Sequence, residues 1–310
     1  MDRRIVIIVV LIIALIVVVV LLRNKTPRPL VASQESQQPQ SRFEILSKYK
    51  RPVRTRYRAF SLTKKQSVGY DVLTASNTDP RFNDFLTTML RVYSDTMVLG
   101  AIKKQGVQVK YEFYFGMPWS RWYHKFSSLI PRQAFQPPPF ADKVSYISID
   151  VDDDFLNSRR LKHLNLYHLE KVQGRQVMIE NTLYPNGDYE ERARQLLALP
   201  VHIIDDKEKF TDWCQVLGMI DQTETLRAFR HNIPDYGKMI DIANKGQQVG
   251  LYFSGLTKEN LIRFSKDQSY DPIVTKILAR GYQDGDWAQI GFHMKRDNPT
   301  ALRSALYLLL

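Results

Sequence analysis

The amino-acid sequence predicts an α+β fold: mixed or antiparallel sheets with packed helices, internally duplicated about a pseudo-two-fold, behind one N-terminal transmembrane helix. Three observations carry that expectation. An unbroken apolar run fills residues 5–22; short β-branched and aromatic segments alternate with amphipathic helical ones through the remainder; and distant stretches repeat the same order of elements. Several predicted strands follow one another directly, which favours α+β over a doubly wound parallel sheet.

Residues 1–4 are a short flank, and residues 5–22 read IVIIVVLIIALIVVVVLL. At about 1.5 Å rise per residue the run reaches roughly 27 Å, close to a bilayer core of about 30 Å. A cleaved secretory signal has a shorter apolar region and a small-residue cleavage site, and the following LLRNKTPRP has none. The expectation is a retained signal-anchor in a single-pass membrane protein. Arg23, Lys25 and Arg28 behind the run, against Arg3 and Arg4 before it, favour a cytosolic C-terminal domain. With Cys214 as its one cysteine, the chain has no intrachain disulfide, which agrees with a reducing compartment.

Residues 23–68 read as a basic tether rich in Gln, Ser and Pro, with too few large apolar residues to offset the entropy of ordering. The formal charge of +12 is concentrated there: residues 23–65 hold twelve Lys and Arg against two acids, whereas residues 66–310 hold thirty basic and twenty-nine acidic groups. A near-neutral folded part argues against nucleic acid as its partner. Lys48, Lys50, Arg51, Arg54, Arg56, Arg58, Lys64 and Lys65, interleaved with Tyr49, Tyr57 and Phe60, are the expected contact with anionic lipid headgroups of a bilayer. Each such residue contributes about 1 kcal/mol near the surface. The same composition suits another polyanion, including nucleic acid, with aromatics stacking on bases.

Residues 69–200 and 201–310 are read as two α/β halves. Phe82-Asn83-Asp84-Phe85 parallels Phe210-Thr211-Asp212-Trp213, and each is followed by a Lys and Gly turn and an aromatic strand, ending at Gly116 and Gly255. SRWYHKFSS at 120–128 then sets against ENLIRFSKD at 259–267, VSYISIDVDDD at 144–154 against WAQIGFHMKRD at 287–297, and HLNLYHLE at 163–170 against SALYLLL at 304–310. The expected consequence is a cleft between the halves. Strands are expected at VKYEFYF, VSYISIDV, QVMIENTLY, QVGLYF and WAQIGFHM. Helices are expected at DYEERARQLLAL (188–199), after Thr257, and after Asp271-Pro272. Pro185-Asn186-Gly187 is a turn, and FQPPPFAD an exposed stiff loop. This alternation of strand pairs and helices also resembles the α-β-β-α barrel of aromatic prenyltransferases. That resemblance rests on the order of elements and on no motif, so it implies only an alternative fold, a barrel of that type.

The strongest candidate for chemistry is Asp150-Val151-Asp152-Asp153-Asp154 at a strand end. Side chains alternate along a strand, so Asp150 and Asp152 share a face, and with Asp154 they form an oxygen set suited to Mg²⁺ or Ca²⁺. The EF-hand pattern is not completed, and the ordinary reading is solvated turn chemistry. The corresponding positions of the second half are His293, Lys295, Arg296 and Asp297. An acidic rim facing a basic one would suit a zwitterionic or phosphorylated ligand. The remaining histidines, 124, 163, 168, 202 and 231, lack zinc spacing. Cys214 lies in an apolar helical stretch and reads as a buried thiol. Trp119, Trp122, Tyr123 and Trp287 read as core, or as the lining of a ligand cleft. No nucleophile elbow, P-loop or dinucleotide fingerprint occurs. No other cofactor is expected. The leading functional reading is therefore a non-catalytic interaction or assembly module at a membrane surface, with a protein partner of unspecified identity. The alternatives are a membrane-tethered enzyme or ligand-binding protein using Asp150, Asp152, Lys295 and Arg296, and a polyanion tether.

Overall fold

The computed structural model describes residues 67–130, 133–296 and 298–310. Its ten strands are β1 (Val98–Gln105), β2 (Gln108–Phe115), β3 (Val144–Val151), β4 (Leu164–Val172), β5 (Arg175–Leu183), β6 (Tyr189–Pro200), β7 (Met239–Lys245), β8 (Gln248–Ser254), β9 (Ala288–Lys295) and β10 (Asn298–Leu309). They form one closed barrel in the order β1-β10-β9-β8-β7-β6-β5-β4-β3-β2, and every pairing is antiparallel. Closure by β1 on β10 leaves the sheet no free edge.

The helices among the described residues are α1 (Val68–Ser76), α2 (Pro80–Val92), α3 (Trp119–Leu129), α4 (Asp153–Ser158), α5 (Lys207–Val216), α6 (Thr223–His231), α7 (Lys258–Asp267) and α8 (Pro272–Gly281). Their starts follow from local chemistry. Ser67, Asp79, Thr257 and Asp271 each accept a backbone N–H of the first turn, and α2 and α8 begin with proline. Such caps contribute about 1 kcal/mol each.

One period-2 pattern places the core. Outward positions of the strands are large and apolar, and they pack beneath the helices: Phe82 lies on Tyr111, Phe85 on Phe113, and Tyr93 on Phe115. On the opposite side Phe264 packs on Phe292, and so does Phe229. Gly100 permits a close approach of α1 to β1, because a Cβ there would sit 2.3 Å from Leu73 Cδ1. The inward positions are of another kind, with tyrosine, glycine, alanine, polar and charged residues beside a smaller set of apolar ones, and they form the candidate site.

Two expectations are corrected here. The fold is a barrel, not an α+β arrangement of duplicated halves with a cleft between them. The stretches set against each other do run helix, strand pair, helix, strand pair, but all their strands enter one ring, where β5 and β6 have no counterpart in the repeat. The second correction concerns the membrane. No helix among the described residues is long and apolar enough to cross a bilayer, so the structure lends no support to a single-pass transmembrane protein with a cytosolic C-terminal domain. The run 5–22 and residues 23–66 of the basic tether, with Lys48 to Lys65, lie outside the described residues, while Ser67 and Val68, the last two of that tether, open α1.

Residues 188–199 are also strand rather than helix. Ala, Leu, Glu, Arg and Gln favour helix in isolation, but β6 completes the ladder between β5 and β7, and that pairing overrides propensity.

Candidate functional site

Contacts that skip a strand identify the barrel interior. Tyr114 on β2 meets Tyr167 on β4 and Tyr307 on β10, each at 5.8 Å between ring centroids. Tyr252 on β8 meets Tyr307 at 5.9 Å. These four rings form an arc from alternate strands, the layering expected of inward residues in a barrel. Tyr252 lies across two glycines, its ring standing where a Cβ on Gly250 or Gly291 would be, at 2.7 Å from each. Its hydroxyl is 2.9 Å from Nε2 of His293.

The arc divides two chemically different ends. Toward the starts of β1, β3, β5 and β9 lie Leu99, Tyr146, Met178, Leu197 and Trp287, with Met97, in one buried apolar cluster. Toward the other end, where β1–β2, β5–β6, β7–β8 and β9–β10 are joined by short turns, the inward residues carry charge. Glu112, 1% exposed, pairs with Lys103 and accepts hydrogen bonds from Tyr114 Oη (2.5 Å) and Ser148 Oγ (2.6 Å). Asn165 links this group to Arg192 Nη1, which donates to its Oδ1 at 3.2 Å. Glu180 is held by Lys245 at 3.2 Å and by Arg192 at 3.6 Å. His293 and Arg303 face each other across β9 and β10.

Electrostatics follow from this crowding. Burial alone would raise the Glu180 carboxyl, but Lys245, Arg192 and Lys103 hold it below the ordinary range. Burial, then the fields of Lys245, Arg303, Lys103 and Arg192, keep His293 neutral far below the usual imidazole range. Burial raises the phenols of Tyr114, Tyr167 and Tyr307, so they remain protonated donors. Nearer the apolar end, Asp241 receives Gln289 Nε2 at 2.8 Å and the backbone N–H of Ala198 at 2.7 Å. Ala198 has φ 55 at a register shift in β6, and this bond helps hold that bulge.

The structure separates the three aspartates read as a metal set. Asp150 takes an inward position at the charged end, with His163 Nε2 3.5 Å away. Asp152 caps α4, accepting from Phe155 N, and Asp154 pairs with Lys162 at 2.6 Å. No group of three or more His, Cys, Asp or Glu able to hold a metal occurs among the described residues. Lys295 continues the inward register at the end of β9, whereas Arg296 donates to Asn244 Oδ1 outside the barrel. Trp119 and Trp122 belong to the outer core under α3, Tyr123 packs against that core, and Trp287 belongs to the interior. Cys214 is buried in α5.

Sequence reasoning missed the tyrosine arc and the cations Lys103, Arg192, Lys245 and Arg303. A signal was present. Tyr114, Tyr167, Tyr252 and Tyr307 each stand between two large side chains of the opposite parity, in Phe-Tyr-Phe, Leu-Tyr-His, Leu-Tyr-Phe and Leu-Tyr-Leu. A polar-tipped ring at the alternate parity marks the interior face.

No protein-family model matches the chain, and no curated protein matches its sequence. Among solved structures, the chain is similar to PriB in its binary complex with product diphosphate, with TM-score 0.42 and 9% sequence identity over 78% of this chain and 94% of that one. A likeness of that degree bears on neither ligand nor activity.

Proposed function

We propose that the chain is a small-molecule-binding protein whose site is the barrel interior. The ligand is amphipathic: its apolar body lies against the tyrosine arc and the Met178–Leu197–Trp287 end, and its polar end lies among the charges near the short turns. The observation that carries this reading is the two-ended interior, an apolar aromatic cluster at one end and a charged, hydrogen-bonded one at the other. Eight strands give a barrel just wide enough to be filled by side chains or to hold one small ligand; ten give more room. Ligand sites characteristically combine apolar and aromatic walls with a few fixed polar groups.

An interaction module would instead present a contiguous apolar patch. The large hydrophobics exposed among the described residues are Val107 and Val109 at the β1–β2 hairpin, Tyr189 on β6, Ile220, and Ile273 on α8. No one element carries more than two of them. The test is a fluorescence titration of the full chain with N-phenyl-1-naphthylamine, a neutral amphipathic probe. Saturable one-to-one binding that is lost in Ala101→Phe and Ala305→Phe, both filling inward positions, supports the reading. Binding unaffected by those substitutions refutes it.

A further inference from the structure

We infer that the polar end of the ligand is a monoanionic oxyanion of the carboxylate class, seated between Arg303 and His293. This rests on the proposal that the interior binds a ligand, and it names that ligand's head group. Two buried nitrogens on paired residues have no hydrogen-bond partner among the described residues: Nε of Arg303 and Nδ1 of His293. The residues are cross-strand neighbours on β9 and β10, and His293 is 2% exposed. Buried polar atoms are satisfied in nearly all proteins, and those that are not call for a ligand, a water or an ion.

The missing partner must be an acceptor. The Nε–H of a guanidinium only donates. Arg303 spends one other donor, Nη2, on Gln248 Oε1 at 3.4 Å, a neutral and long contact. Nδ1 of His293 adds a second donor when Nε2 accepts from the hydroxyl of Tyr252.

Charge then sets the valence. Lys103 is matched by Glu112, and Lys245 by Glu180. Arg192 lies between Glu180 and the field of Asp150. Arg303 alone of these four cations has no carboxylate partner among the described residues. One unmatched positive charge in a buried setting fits one negative charge. A polyanion such as pyrophosphate would exceed it and would meet Glu112 and Glu180 nearby.

Isothermal titration of the full chain with 2-naphthoate and its neutral analogue 2-naphthamide tests this. The wild type is expected to bind the acid about tenfold or more tightly than the amide, the range of a charge-assisted hydrogen bond. Arg303→Gln should bring the two affinities together, and Arg303→Lys should restore part of the gap. Equal affinities in the wild type, which need no variant to interpret, overturn the inference while leaving interior binding intact. Retention of the preference in Arg303→Gln overturns it as well. Inorganic pyrophosphate displacing 2-naphthoate at equimolar concentration would replace the monoanion with a polyanion. Failure of both naphthalene probes and of N-phenyl-1-naphthylamine would remove the binding proposal itself.

Discussion

Glu112→Gln is the most informative single substitution in the barrel wall. Glu112 is 1% exposed, and the side chain of its partner Lys103 is 11% exposed. The carboxylate also accepts from Tyr114 and Ser148. Replacing it with an amide leaves the Lys103 ammonium buried without its counter-charge. Breaking a buried pair from one side costs about 3–5 kcal/mol. In a domain of this size each kcal/mol moves the melting midpoint by about 2–4 °C, so Glu112→Gln should melt roughly 10 °C lower. The double variant Lys103→Met/Glu112→Gln removes the stranded charge as well and keeps an acceptor for Tyr114 and Ser148. It should recover most of the loss, leaving about 1 kcal/mol. Urea unfolding of the four proteins of this double-mutant cycle measures the coupling directly. A single-variant loss under about 1 kcal/mol, or a double variant no better than the single, would refute the reasoning that these charges are desolvated partners.

Three further outcomes are expected. Burial would raise the Asp150 carboxyl, but the hydrogen bond from His163 and the field of Lys103 bring it down to about 2; its contribution to stability is therefore present above the ordinary carboxylate range and lost as pH falls toward that value. Asp150→Asn should flatten the acid limb of the stability curve between roughly pH 5 and pH 2, read from urea midpoints, and an unchanged limb contradicts the assignment. Burial pushes the Cys214 thiol up to about 11, so the native chain should not react with Ellman's reagent at about pH 8 but should react once unfolded in urea; prompt native labelling would show the α5 packing to be wrong. Gly291→Val puts branched bulk where the Tyr252 ring lies and should weaken N-phenyl-1-naphthylamine binding more than it lowers the melting midpoint; unchanged binding would mean that the ring is no part of the site.

Much of the local structure was legible in the sequence. Thr257 and Asp271-Pro272 start helices through side-chain oxygens that reach the first-turn amides, and such signals lie within four residues. The β-branched and aromatic runs became β2, β3, β5, β8 and β9 for a similarly local reason. Closure was not legible, because the register of Leu99 with Leu309 joins residues at opposite ends of the folded chain, and no periodicity encodes that pairing. Residues 188–199 misled because Glu191, Arg194 and Gln195, spaced i, i+3 and i+4, resemble one polar helix face, whereas they lie on a strand between two others. The site was hidden by the same long-range geometry. Lys103, Glu180, Arg192, Lys245 and Arg303 come from five strands, and no short motif unites them. Asp150 to Asp154 stood out as a compact run, yet only Asp150 keeps an inward place at the charged end.

The claim that the interior is the ligand site is tested most directly by methyl NMR of ¹³C-methionine-labelled full chain during titration with 2-naphthamide. Met97 and Met178 belong to the interior cluster, whereas Met89, Met117, Met219 and Met294 lie in the outer core beneath the helices. Interior binding requires saturable shifts of Met97 and Met178 while the outer four stay in place. Shifts confined to the outer four, or none at concentrations where binding is otherwise detected, would place the ligand elsewhere and contradict the account.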